Sequence, residues 1–515
     1  MEHADTAQLA AVGGALGSVL VLLARGRLTL LGGLVVLAAA EAGLALSLGD
    51  ASLSKLTSAA GAGAAVAGML LLGGAAAVLA WRPAWVPVAV LATAPFRPPL
   101  DFSGSNRFLV SIAEDGRLGR LLPLYFVLAA AAAALGWRSL RGRPVRALPP
   151  VIALPAAAFF TLAFLSLLWA DDVEAGTNLL AFFTLPFAVL LATVGRADYP
   201  DYVPRVLAGV ALGLASLFAV IGLYQVATHK LFFYAPNLAA SNANTDYFRV
   251  TSLFGDPSLY GRHVVLGIGV ALALLAANRW RTWPLIGLIV LMWAGLLFSY
   301  SQSSMAALLL VTLALGLLTG DRRVRMAVAG LAAVAALAAV AFVAVELING
   351  ERLNHITSDR TERVQDTTRV ISHHPLIGVG IAGQPSASRD LAGSDRPTAN
   401  FVSHTTPLTV AAELGAIGVA LYVWLLVGGV RMIAQVRRRD EAIGLALAAS
   451  FVALFVHALF YSGFLEDPIT WLVLAVGAGW LSWQAAQRSA AERARERVVA
   501  PALPRTASPP PARGS

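Results

Sequence analysis

The chain has 515 residues, 58% of them hydrophobic and 13% charged, and its mean hydropathy is +0.72. Those proportions exclude an ordinary water-soluble globular domain. A formal net charge of +9 would point to nucleic acid in a soluble protein, but here the arginines collect in short connections between apolar runs, so they read as topology signals.

Cysteine is absent, which excludes disulfides, thiolate catalysis and Cys-ligated metals. The acidic start, Met1 to Asp5, lacks the basic stretch of a cleavable signal, so the first apolar segment is expected to stay in the protein. Abundant Ala, Gly, Leu and Arg with little Lys fits a GC-rich bacterial genome.

Apolar runs follow in order at 8–25, 28–48, 58–80, 84–96, 121–136, 150–170, 177–195, 204–226, 258–277, 282–299, 303–319, 324–346, 405–430, 442–462 and 467–484. About 20 residues of helix cross a hydrocarbon core of roughly 30 Å. Lipid cannot satisfy an open backbone, so the runs must be helical. The expected fold is an all-α, polytopic integral membrane protein of roughly 12–15 transmembrane helices, with the short fourth run a re-entrant candidate.

Arg25 and Arg27, then Arg138, Arg141, Arg143 and Arg146, then Arg322, Arg323 and Arg325, then Arg437, Arg438 and Arg439 fall in alternate connections. The positive-inside rule makes those cytoplasmic. The opposite connections carry Asp171, Asp172 and Glu174, then Glu466 and Asp467, with longer loops near 97–120 and 227–257. The longest internal polar stretch, 347–404, falls on that outer side, and long loops carry function. The chain divides into amino-terminal transmembrane helices (1–200), a second transmembrane region with the outer loop 347–404 (201–484), and a carboxy-terminal stretch (485–515). That last stretch is read as a helical extension and then a disordered cytoplasmic tail rich in proline, from Pro501 to Pro511. No internal repeat of the transporter kind is evident.

Three clusters on the expected outer side can carry chemistry. The first is Arg249-Val250-Thr251-Ser252-Leu253-Phe254-Gly255-Asp256-Pro257, followed by Arg262 and His263 at a helix start. The second runs from Asp359 and Arg360 through Arg363 and Arg369 to His373-His374-Pro375-Leu376-Ile377-Gly378-Val379-Gly380. Its beginning predicts an interfacial helix and its end a tight glycine turn. The third is Ser403-His404-Thr405 at the mouth of a helix through Glu413, Gly415 and Gly418. His373, His374, Arg363 and Arg369 read as structural or solvated groups, and Gly415 and Gly418 as helix-packing positions.

Together with Ser301-Gln302-Ser303-Ser304, these stretches resemble the O-antigen ligase and O-antigen polymerase superfamily over residues 205–430. In that family an Arg precedes an (Asn/Asp)-Pro turn, a Ser-Arg heads a helix, and Pro-Leu-(Leu/Phe)-Gly-Val-Gly precedes a His-Asn and a Glu-x-Gly-x-(Ile)-Gly helix. Two departures stand out: Gln302 replaces the helix-top Arg, and Thr405 follows His404.

The resemblance implies a glycosyltransferase-C-like helical arrangement and glycan transfer from a polyprenyl-(di)phosphate-linked oligosaccharide to a glycan, lipid or protein acceptor, as polymerase or ligase. It implies metal-independent transfer with no cofactor, at the outer face of the bacterial inner membrane, with membrane lipid as surroundings and no nucleic-acid partner. Guanidinium groups suit the charge that develops on a departing diphosphate. Arg249 is the first candidate for that role and Arg360 the second; Arg262 either supplies the cation that Gln302 lacks or snorkels to lipid headgroups. His404 is the candidate base for the acceptor hydroxyl. Glu413, costly inside an apolar helix unless paired, is expected to orient His404 or a sugar, with Gln302 supporting. The alternative class is a transporter or flippase of lipid-linked sugars, which calls for polar groups at mid-membrane.

Overall fold

The computed structural model describes residues 2–48, 59–101, 111–112, 120–234, 236–245, 247–320, 322–323, 325–327, 330, 360–393, 401–403, 405–460 and 465–499. Helices α1 (Glu2–Leu23) and α2 (Arg27–Ser47) form an opening hairpin. On α2, Leu30, Gly33, Leu37, Ala40 and Leu44 are buried at intervals of three and four residues, while Leu28 and Val35 on other faces are exposed. Both kinds of face are apolar because one meets protein and the other lipid. Gly33 lets the hairpin close: a Cβ there would strike Val21 and Leu20.

Helix α3 (Ala59–Trp81) meets α4 (Val86–Thr93) through the turn Pro83–Trp85. The chain bends by 108° there, as expected where Pro83 and Pro87 cannot donate to a continuing helix. The short fourth run therefore belongs to a bent pair. Then come α5 (Leu122–Leu140), α6 (Pro150–Trp169), α7 (Val173–Val194) and α8 (Tyr202–Thr228), the short α9 (Pro236–Asn244), α10 (Pro257–Ala276), α11 (Thr282–Leu297) and α12 (Gln302–Thr319). The long polar stretch contains α13 (Arg360–His373) and α14 (Gln384–Ala392). The chain then forms α15 (Thr406–Arg437), α16 (Glu441–Phe460) and α17 (Pro468–Val499).

Among the described residues, 11 helices are long and apolar enough to cross a membrane, or up to 12 with the bent pair taken as one span. The fifteen apolar runs reduce to this number for three reasons. Two runs form the bent pair, α11 is a shorter apolar helix, and most of 324–346 lies outside the described residues. Apart from a two-residue pairing of Leu100–Asp101 with Ser111–Ile112, the described regular structure is helical. This is an all-α polytopic membrane protein. Helix α17 continues past residue 485 to Val499, and 500–515 lie outside the described residues.

The central helix is α10, with 72% of its apolar window buried against α8, α11, α12 and α16. Its glycines set the spacing: a Cβ on Gly261 would strike Ser304, on Gly267 Ala215, and on Gly269 would crowd Ala449.

The connections gather at two ends of the bundle. At one end are the arginines. Arg146 pairs with Asp198 at 2.6 Å and Arg279 with Asp440 at 3.0 Å, while the Arg437 guanidinium donates to the Leu318 carbonyl at 2.6 Å. The buried Arg196 donates to the carbonyl of Val21 at 2.8 Å, satisfying the carboxy-terminal end of α1. The other end carries the heads of α10, α12, α15 and α17 and the candidate site.

Candidate active site

The loop between α9 and α10 is held by a polar side chain from inside an apolar helix. Gln225 of α8, wholly buried, accepts from the amides of Thr251 (3.1 Å) and Ser252 (2.7 Å) and donates to the Ser252 carbonyl at 2.9 Å. Asn242 brackets the Arg249 backbone, accepting from its amide and donating to its carbonyl, both at 3.0 Å. The Arg249 Nε then donates to the Ser299 carbonyl at 3.4 Å, which brings the guanidinium to the head of α12. Asp256 starts α10 by accepting from the amides of Ser258 (2.7 Å) and Leu259 (3.0 Å), with Pro257 in the first helical position. That is the physical content of the Asp-Pro turn.

At the head of α12, Ser301 caps the helix by accepting from the Ser304 amide at 3.3 Å. Its hydroxyl also lies 3.1 Å from that of Ser303 and 2.9 Å from that of Ser304. Ser304 Oγ donates to the Ser258 carbonyl at 3.4 Å, and His457 Nε2 of α16 reaches the same carbonyl at 3.1 Å. Gln302 is the exposed first residue of α12.

Arg262 turns inward. Its Nη2 lies 2.7 Å from Asp467 Oδ2, with side chains only 9% and 2% exposed, and Asp467 Oδ1 accepts from the Ile469 amide at 2.7 Å to start α17. The pair ties α10 to α17, and its geometry favours neither phosphate binding nor snorkelling, since the guanidinium already has a buried carboxylate. Arg97, just after the bent pair, lies within electrostatic reach of Arg262, Asp467, Tyr125 and Glu466. Desolvation and then Arg262 pull its pKa below the ordinary range, while Asp467, Tyr125 and Glu466 oppose the shift; a guanidinium there stays cationic. The sequence reading did not single out Arg97. The signal for it was a lone cation closing an apolar run.

The glycine motifs explain one another. Gly415 has φ +63° and ψ −163°, so α15 is broken there, where the sequence pattern had read helix packing. Into the break fits Pro375–Gly380. The amides of Ala416 and Ile417 donate to the carbonyls of Pro375 (2.9 Å) and Leu376 (3.3 Å), and the amides of Val379 and Gly380 donate to the carbonyls of Ala412 (3.0 Å) and Glu413 (2.9 Å). The backbone groups that a broken membrane helix leaves open are thereby satisfied. Gly378 (φ +68°), Gly380 (φ +87°) and Ala382 (φ +60°) alternate through left-handed geometry. Such an alternation turns amides inward, and those of Ala382 and Gln384 reach the Glu413 carboxylate. The segment is anchored from the other side, since Ile381 N–H donates to Ser166 Oγ at 3.1 Å. Pro375–Gln384, Ser166 and Ala412–Ile417 thus form a clasp around the break, and Glu413 belongs to it.

Arg249, Gln302, Arg262 and Glu413 thus fall at one end of the bundle. Arg360 begins α13, and its side chain lies outside the described residues. His404 also lies outside them, but its neighbours are pinned. Ser403 Oγ lies 2.6 Å from Thr409 Oγ1 and donates to the Thr405 carbonyl at 3.1 Å. Thr405 Oγ1 donates to the Leu459 carbonyl at 3.4 Å, beside the end of α16 that carries His457.

Residues 287–423, from within α11 to the second half of α15, match the family model described as O-antigen ligase. This part of the chain is similar to the O-antigen ligase family. The match takes in Gln302, Arg360, His404, Pro375–Gln384 and Ala412–Ile417, and leaves Ser166, Arg249 and Arg262 before its start. Among curated proteins, no match to the chain is found. The matched region includes the end of the bundle where Arg249 meets the head of α12.

Proposed function

We propose that this protein transfers a glycan from a polyprenyl-(di)phosphate-linked oligosaccharide to an acceptor hydroxyl at the outer face of the bacterial cytoplasmic membrane, as a polysaccharide polymerase or ligase that needs no metal. The observation that carries the reading is Arg249. Its backbone is clamped by Asn242, and its Nε donates to the Ser299 carbonyl, which brings the guanidinium to the head of α12 within the family-matched region.

In this reaction the acceptor oxygen attacks the anomeric carbon and gives its proton to His404 while the bond from that carbon to the phosphate oxygen breaks. Arg249, with Arg360, stabilises the charge that collects on the departing phosphate. A single in-line displacement inverts the anomeric centre. Glu413 and the clasp fix the start of α15 and hence the segment that carries His404, while Arg262 acts through Asp467 to hold α10 in place.

Purified protein in proteoliposomes, given polyprenyl-diphosphate-linked oligosaccharide and acceptor, should form a new glycosidic bond detectable by mass spectrometry, with the same yield in EDTA. Arg249→Ala should lower the yield by about 10²–10³-fold, and His404→Ala should abolish it. Movement of donor across the bilayer with no new bond would instead support a transporter.

A further inference from the structure

A groove of about 740 Å³ runs between α4, α8, α10, α16 and α17, from His263 and Ile469 near the Arg262–Asp467 pair to the arginine-bearing end, and its walls are mainly apolar. One stripe of α17 lines it: Ile469, Val476, Trp480, Gln484 and Arg488. At 1.5 Å per residue, 469 to 488 spans about 28 Å, close to a full hydrocarbon core.

The groove changes character at the arginine-bearing end. Arg205, Arg279, Arg439 and Arg488 come together there from four separate parts of the chain, with Asp201 and Asp440 the carboxylates among them. Asp440 is engaged twice, with Arg279 at 3.0 Å and, through Oδ1, with the Ile443 amide at 3.1 Å. Arg205, Arg439 and Arg488 are exposed, and the side chains of this rim leave a net charge of +2. Trp280 also borders the groove and is 37% exposed, as a side chain at a headgroup boundary is.

An apolar trough closed at one end by cations is complementary to an amphiphile with a negative headgroup. We propose that the groove holds an anionic phospholipid, its phosphate on Arg205, Arg439 and Arg488 and its acyl chains against α8, α10 and α17. Basic pockets between membrane helices select such lipids. The headgroup binds from the leaflet at the arginine end, opposite the candidate catalytic end, where Arg249 lies.

Native mass spectrometry of the full chain, reconstituted with equal phosphatidylglycerol and phosphatidylcholine, tests this. Wild type should retain phosphatidylglycerol at least tenfold over phosphatidylcholine. The triple variant Arg205→Ala, Arg439→Ala, Arg488→Ala should lose that preference, and Ala211→Trp, which fills the trough and leaves the cations, should lower retention of both lipids. Equal retention of the two lipids by wild type, or an unchanged preference in the triple variant with Ala211→Trp also unaffected, would overturn the proposal. So would displacement of the bound phosphatidylglycerol by stoichiometric polyprenyl phosphate, which would assign the groove to the donor's tail. Arg249→Ala should retain the lipid as wild type does, so a failed glycan-transfer reading leaves this outcome unaffected.

Discussion

Arg249 and Arg262 are both arginines near the head of α10, and the chain uses them in opposite ways. Arg249 has one nitrogen committed to a carbonyl, so Arg249→Ala should lower glycan transfer by about 10²–10³-fold, the range for loss of one preorganised charge-stabilising donor. Arg249→Lys should recover little, because a point charge cannot reproduce a two-pronged fork; initial rates with lipid-linked donor measure both. Arg262 has a buried partner, so Asp467→Asn should lower stability by about 3–5 kcal/mol by stranding the charge, whereas Arg262→Met with Asp467→Leu should melt near wild type. Thermal unfolding in detergent reads the stability, and retained transfer by the double variant would separate a structural tie from a donor ligand. The Asp-Pro helix start was legible because capping is local, with donor and acceptor two and three residues apart. The Arg262–Asp467 pair was not, because no spacing rule relates residues two hundred positions apart. Arg97 escaped notice for the same reason.

At the scale of elements, the sequence announces helices and their approximate limits, since a 20-residue apolar run in lipid has one satisfactory backbone form. It does not announce what happens inside one. Glu413-Leu414-Gly415-Ala416-Ile417-Gly418 reads as a packing stripe, yet Gly415 is where α15 breaks and the Pro375–Gly380 segment enters. A Cβ on Gly378 would strike the Glu413 backbone, and one on Gly415 the Leu376 backbone, with left-handed φ at both. Gly378→Ala and Gly415→Ala should therefore each cost at least about 1–3 kcal/mol from backbone strain alone and abolish transfer. Gly287→Ala, where a Cβ meets nothing within 4 Å, should be neutral; the melting point and yield of monodisperse protein distinguish the three. The serine cluster at the head of α12 was visible as a motif, but its function as the contact between α10, α12 and α16 depends on Gly261, whose missing side chain admits Ser304.

For the whole molecule, alternation of arginine-rich and acidic connections is the sequence property that orders the bundle, and the structure gathers those connections at two ends. The proposed sidedness has a direct check, because the chain contains no cysteine. Arg389→Cys should react with a membrane-impermeant thiol reagent on intact spheroplasts, and Arg438→Cys only after lysis, both positions being exposed. The reverse pattern would invert the proposed orientation.

The clasp has a consequence for how the protein is made. Its pieces come from Ser166, from Pro375–Gln384 and from Ala412–Ile417, so its central strip leaves the ribosome well after its first anchor and before its last. The strip must wait at the bilayer surface until α15 has been threaded into the membrane, and a contact so distant in sequence closes late. A nascent chain halted before that helix would hold every candidate phosphate-binding arginine and still lack the frame that fixes the segment carrying His404. On the proposed function, catalytic competence would then begin only once insertion is almost complete.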